Sequence, residues 1–109
     1  MFVAVYWWRV HPGKEDQFRE AWRRGTRAIT RIYGSHGSRL HEERDGRFVG
    51  YAMWPDEATW QAAMDVKMVY DDAEARAMFI DAVAETPPGH APILTMTVTD
   101  DLIVDTPGG

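Results

Sequence analysis

Arg39–Met64, RLHEERDGRFVGYAMWPDEATWQAAM, is the stretch whose reading decides the fold. Asp45-Gly46 separates two strand-like runs, and this dipeptide predicts a type I′ hairpin turn, which needs positive φ at both central positions. Arg47–Trp54 reads as a strand crowded with aromatics, and Pro55-Asp56 stops it. Asp56 is placed to cap a helix beginning at Glu57, with Trp60, Ala63 and Met64 on one face. The first strand of the hairpin is polar (Arg39, His41, Glu42, Glu43), so at least one side of it is wet or lines a polar site. On the second, Gly50 and Ala52 sit beside Phe48 and Trp54 and predict an open space over that face.

Upstream, Phe2–Val10 (FVAVYWWRV) has strand character with both faces apolar. Phe2, Ala4, Tyr6, Trp8 and Val10 point one way, Val3, Val5, Trp7 and Arg9 the other. An antiparallel strand with one wet face alternates more cleanly, so the pattern predicts helices on one side and a second subunit on the other. Pro12-Gly13 leads into a helix over Lys14–Ile32, whose buried stripe is Phe18, Ala21, Trp22, Gly25, Ala28, Ile29 and Ile32. Trp22 is expected in the core, and Arg23, Arg24, Arg27 and Arg31 on a solvated face. Tyr33–Ser38 reads as a loop.

Downstream, Asp65–Tyr70 has too little periodicity to assign. Asp71-Asp72 can cap a second long helix reaching about Glu85, striped by Ala75, Met78, Phe79, Ala82 and Val83, and Thr86-Pro87-Pro88-Gly89 ends it. Ile93–Thr99 alternates as a half-buried strand with Leu94, Met96 and Val98 inward. Asp100–Val104 continues it, across to a partner subunit in a dimer, and residues 105–109 form a tail beyond a single domain spanning 1–104. The order β-α-β-β-α-β with a short extra helix is the split βαβ, ferredoxin-like pattern of an α+β protein.

Composition narrows the partners. A net charge of −5 argues against nucleic acid, whose binding is driven by counterion release to Lys and Arg. The apolar run Phe2–Trp8 is far short of the roughly 20 residues of a membrane helix. The absence of cysteine removes disulfides and thiolate chemistry and fits a cytoplasmic protein. A metal site would have to use His36, His41 and Glu42 or Glu43, a spacing that matches no ligand pattern, so no metal is expected. The chain's unusual feature is aromatic: five Trp, four Tyr and four Phe in 109 residues.

The element order, Pro12-Gly13-Lys14 opening the first helix and YAMWPDEATW at Tyr51–Trp60 together resemble the antibiotic biosynthesis monooxygenase (ABM) domain family, from Phe2 to about Val98. The resemblance implies a dimeric α/β barrel, in which two sheets pack face to face and each subunit keeps a pocket between sheet and helices. The family's chemistry includes cofactor-free oxidation of anthrones and quinols and haem degradation. Quinol-oxidising members commonly carry a Glu where this chain has Ala52 and a His where it has Ala63. Haem-degrading members place Trp, His and Asn at positions corresponding to Ala63, Ala73 and Tyr6, and no histidine lies between His41 and His90.

A cofactor-free oxygenase must ionise an electron-rich phenol or anthrone so that it can reduce O₂, in a dry aromatic site. Tyr6, Trp8, Tyr51, Trp54 and Trp60 are expected around such a pocket, with Tyr70 at its edge. Tyr51, His41 and Arg39 are the candidate catalytic groups, with Arg47 as a further cation able to favour a phenolate. Two readings stay open. One is a homodimeric enzyme that oxidises or isomerises a small aromatic or polyketide-like molecule without a bound cofactor. The other is a non-catalytic small-molecule-binding domain of the same fold.

Overall fold

The protein is described from a computed structural model that covers residues 1–104, so the tail expected at 105–109 lies outside the described residues. Its elements are β1 (Phe2–Val10), α1 (Glu15–Tyr33), β2 (Gly37–Glu42), β3 (Phe48–Trp54), α2 (Glu57–Asp65), α3 (Ala73–Ala82), β4 (Val83–Glu85) and β5 (Leu94–Thr97), with a single 3-10 turn at Pro88–His90. Every strand pairing is antiparallel. The order is β2-β3-β1, with β4 and β5 sharing the other edge of β1. This is the ferredoxin-like arrangement, with its last strand split in two. No helix among the described residues is long and apolar enough to cross a membrane.

The hairpin is where it was expected, but its turn differs. Glu43 N–H donates to Arg47 O, Gly46 N–H donates to Glu43 O, and Gly46 (φ 87°) takes the left-handed conformation while Arg44 and Asp45 keep negative φ. This is the three-residue connection with a glycine bulge, not type I′. Asp45 is held by its side chain, which accepts from Arg47 N–H and pairs with Arg9 of β1. The helix caps follow the sequence: Asp56 accepts from Thr59 N–H at 2.7 Å, and Asp72 from Ala75 N–H at 3.0 Å.

The last helix stops at Ala82, short of Glu85. His11 N–H donates to Ala82 O and Val83 pairs with Val10, so the chain passes straight into β4. Here the pairing offered by β1 overrides a helical apolar stripe.

The register of β1 on β3 sets Tyr6 opposite Gly50 and Trp8 opposite Phe48. The inner face therefore carries Phe2, Ala4, Tyr6 and Trp8 with Phe48, Gly50, Ala52 and Trp54. Beneath the helices, Phe18 meets Phe48 and Phe79 at ring-centroid distances of 5.0 and 5.2 Å, and Trp8 meets Phe79 edge-on at 5.7 Å. The outer face carries Val3, Val5 and Trp7 with Val49, Tyr51 and Met53, and no element among the described residues covers it. Leu94 and Met96, expected inward, are 46% and 39% exposed there. Ile32, expected in the stripe of α1, is exposed too. Val3 is nevertheless only 2% exposed, between its register neighbours Met53 and Met96. The doubly apolar strand thus gains much of its cover inside one chain, because it is central in the sheet. Residues 100–104 do not continue the strand, and Leu102, Ile103 and Val104 are exposed.

Two arginines of the face expected to be solvated also fasten α1 to the link before α3. Arg31 pairs with Asp71, and Arg24 grips Asp72 with two hydrogen bonds (2.7 and 2.8 Å) while also reaching Glu74. The Arg24 hydrogen bonds, then that from Ala75 N–H, hold the Asp72 carboxyl below the usual aspartate range. Its contribution to stability is therefore complete above the ordinary aspartate pKa and is lost as the pH falls through the lower folded-state value. Asp72→Asn keeps a good cap but removes the ion pair. It should lower the thermal midpoint at neutral pH and flatten the acid limb of the stability profile, whereas Asp101→Asn should do neither. Identical acid limbs for Asp72→Asn and the native chain would refute this.

Candidate functional site

Between the inner sheet face and the helices lies a cavity of about 430 Å³, within the range of small-molecule sites. Tyr6, Trp8 and Trp54 line it from the sheet, Trp22 and Thr26 from α1, and Phe79 from α3. The α2–α3 link contributes Lys67, Met68 and Tyr70.

The open space predicted over Gly50 and Ala52 is divided. A Cβ on Gly50 would lie 2.8 Å from Trp8 Cη2, so the Trp8 ring fills that half. Ala52 lines the cavity and keeps the other half open. Trp22, expected as core, is partly buried and lines the cavity as well.

Tyr6 is the polar group most specifically set. Trp60, which tilts against Phe2, does not line the cavity but stands behind Tyr6 and donates its indole N–H to the phenolic oxygen at 3.0 Å. The phenolic proton then faces nothing stronger than Met64 Sδ at 3.9 Å, a weak acceptor. Burial raises the Tyr6 pKa, partly offset by the Trp60 hydrogen bond, so the group is a neutral donor through physiological pH. A second donor is Trp54. It is 1% exposed, and its Nε1 is, among the described residues, a buried side-chain polar atom without a hydrogen-bond partner. An indole N–H buried this deeply without a partner is costly.

The two serine hydroxyls of the wall are already engaged. Ser35 shares a hydrogen bond with Thr30, and Ser38 donates to Tyr51 O. Tyr70 packs its hydroxyl over Gly25, and burial raises its pKa too.

The catalytic candidates Tyr51, His41 and Arg39 are not brought to this cavity. Arg39 pairs with Tyr51 and His41 with Val49 in the register of β2 on β3, and strand alternation sends this set to the outer face. Leu40, between Arg39 and His41, packs on the inner core. Arg47 pairs with Glu43 and lies over the Trp7 ring at 5.5 Å, again outside. Among the described residues no three His, Asp or Glu side chains gather as metal ligands, so His36, His41, Glu42 and Glu43 form no such cluster. Lys67, Arg76 and His90 also line the cavity. They come from an unassigned link, an exposed helix position and a proline-rich turn, where no periodicity signals a wall.

A model of the antibiotic biosynthesis monooxygenase family matches residues 1–75, which span β1 to the start of α3 and most of the cavity wall. The chain belongs to that family. A comparison with curated protein sequences finds no match. Among solved structures, this ABM chain is similar to SnoaB, a cofactor-independent oxygenase from Streptomyces nogalater, at 18% identity and TM-score 0.64, covering 93% of this chain and 95% of that one. It is also similar to Rv0793 from Mycobacterium tuberculosis (11% identity, TM-score 0.62, 94% and 98% covered). A NIPSNAP domain protein from Burkholderia xenovorans shares the fold at 16% identity and TM-score 0.58, with 96% and 100% covered. At these identities the likeness is one of fold. This ABM chain keeps Ala52 in the cavity wall and buries Ala63 against Phe2 and Trp54. A side chain longer than alanine at position 63 would displace that packing.

Proposed function

We propose that this protein is a cofactor-independent monooxygenase that oxidises a small aromatic or polyketide-like molecule in the cavity between sheet and helices. The observation that supports it best is the Tyr6 phenol, held from behind by Trp60 at the wall of an aromatic cavity, with only the weak acceptor Met64 Sδ for its proton. In this reading an anthrone stacks against Trp8 and Trp54, and Tyr6 donates to its carbonyl oxygen as negative charge gathers there. The ring-carbon proton leaves to solvent base. The resulting carbanion passes an electron to O₂, the radical pair joins as a peroxide, and the peroxide collapses. One oxygen atom then remains as a new carbonyl and the other leaves as water, so CH₂ plus O₂ gives C=O plus H₂O. Purified protein mixed with anthrones and hydroquinones under air should consume O₂ well above the buffer rate. Tight binding across such a panel with no acceleration would establish the ligand-binding reading instead.

The working unit in this proposal is a homodimer joined through the outer sheet faces. Trp7, Tyr51 and Met53 with the exposed Leu94 and Met96 make an apolar surface that a second copy would cover. Sedimentation at micromolar concentration should report twice the chain mass, and a single species of one chain mass would remove the dimer.

A further inference from the structure

The cavity rim carries a charge asymmetry that the oxidation chemistry does not use. Lys67, Arg76 and His90 line the cavity, and no Asp or Glu among the described residues does, in a chain of net charge −5. Seven of the twelve Lys and Arg side chains are held in ion pairs, but Lys67 and Arg76 take part in none among the described residues.

The backbone at this rim is also unusual. Lys67 (φ 56°), Met68 (φ 47°) and His90 (φ 54°) are the non-glycine residues with positive φ among those described, and all three line the cavity. Lys67 sits just past the end of α2, where its N–H donates to Met64 O and that of Met68 donates to Ala63 O. These two bonds make the left-handed helix stop in which glycine is the usual occupant. A lysine there is a strained choice, and strain of this kind gathers at binding sites. The cation stands where the backbone favours a residue without a side chain.

We propose that the rim formed by Lys67, Arg76 and His90 recognises an anionic group, so that the cavity selects aromatic molecules bearing a carboxylate. The ring system occupies the wall of Trp8 and Trp54, and the carboxylate reaches the rim, where Lys67 and Arg76 supply donors that have no competing carboxylate. Burial raises the pKa of the Tyr70 hydroxyl in the same wall, and the Arg76 charge offsets part of that rise.

The test compares an anthraquinone carboxylate with its methyl ester, by quenching of the cavity tryptophans at low salt. The native chain should bind the acid about tenfold more tightly than the ester, and the preference should shrink as salt screens the rim. Lys67→Gly should cut that preference severalfold, and Lys67→Gly with Arg76→Gln should erase it, the acid and the ester then binding alike. Lys67→Gly should also melt at a higher temperature than the native chain, which separates lost recognition from lost fold. Equal binding of acid and ester by the native chain, or an acid preference that survives the double substitution, would overturn the proposal. This is the cavity read above as the substrate site, but the measurement needs no turnover. A chain that prefers the acid yet consumes no O₂ upholds the rim and sinks the oxygenase.

Discussion

Tyr6→Phe should lower kcat/KM for anthrone oxidation by about 100-fold, the usual cost of removing one donor aimed at developing negative charge. The change is close to isosteric. It removes one hydroxyl from a ring that stays stacked near Trp8 (6.2 Å between centroids), so the cavity keeps its shape. The Trp60 N–H it leaves behind is on a partly exposed side chain that water can reach. Because burial raises the Tyr6 pKa, native activity should hold across neutral pH and fall only above the ordinary tyrosine range. The same sign governs stability. The contribution tied to neutral Tyr6 is complete below tyrosine's ordinary pKa and is lost as the pH climbs through the higher folded-state value. Tyr6→Phe should therefore be the more resistant protein at alkaline pH while being the poorer catalyst. A variant with native kcat/KM would remove Tyr6 from the chemistry.

Gly50→Ala should destabilise the fold by about 2 kcal/mol, within the range for overpacking a filled core. For a chain of this length that lowers the thermal midpoint by on the order of 10 °C. The added carbon would meet Trp8 Cη2 at 2.8 Å and Cζ3 at 2.9 Å. Trp8 cannot swing aside cheaply, since Phe18 lies 5.6 Å from it and Phe79 closes it edge-on. A glycine inside a strand is ordinarily a weakness, so alanine would stabilise β3 if the space above were free. The sign of the measured change therefore reports the contact. Trp8→Phe in the same chain should recover part of the loss, and the pair should be non-additive by about 1 kcal/mol or more in a double-mutant cycle. Additive effects, or a midpoint that rises with Gly50→Ala, would show that Trp8 is not seated on Gly50.

Local rules carried far in this chain. Asp56 and Asp72 were legible as caps because an aspartate before a helical run has one geometric use, and both make the expected bond to the amide three residues on. Alternation along β1 and β3 identified the aromatic inner face, since a period of two leaves no choice of side once one residue is assigned. Tyr6, Trp8 and Trp54 could be named for the inner face on that basis, whereas Tyr70 lies in a link without periodicity. The same rule, applied to both strands of the hairpin, would have sent Arg39 and His41 of β2 and Tyr51 of β3 away from the inner face, because they share the face of Val49 and not that of Leu40.

What the amino-acid sequence determined alone was most of the elements, their order and the two faces of each central strand, for these follow from backbone dihedrals and periodicity over a few neighbouring residues. Tertiary structure decided what lies across from what. The Trp8 ring fills the gap at Gly50, the indole of Trp60 orients the phenol of Tyr6, and Val83 leaves its helical stripe to pair with Val10. Lys67, Arg76 and His90 line one cavity although no pattern along the chain links them. Such contacts join residues far apart in sequence, and their energies depend on register and on the volume left between packed side chains, which no local pattern encodes.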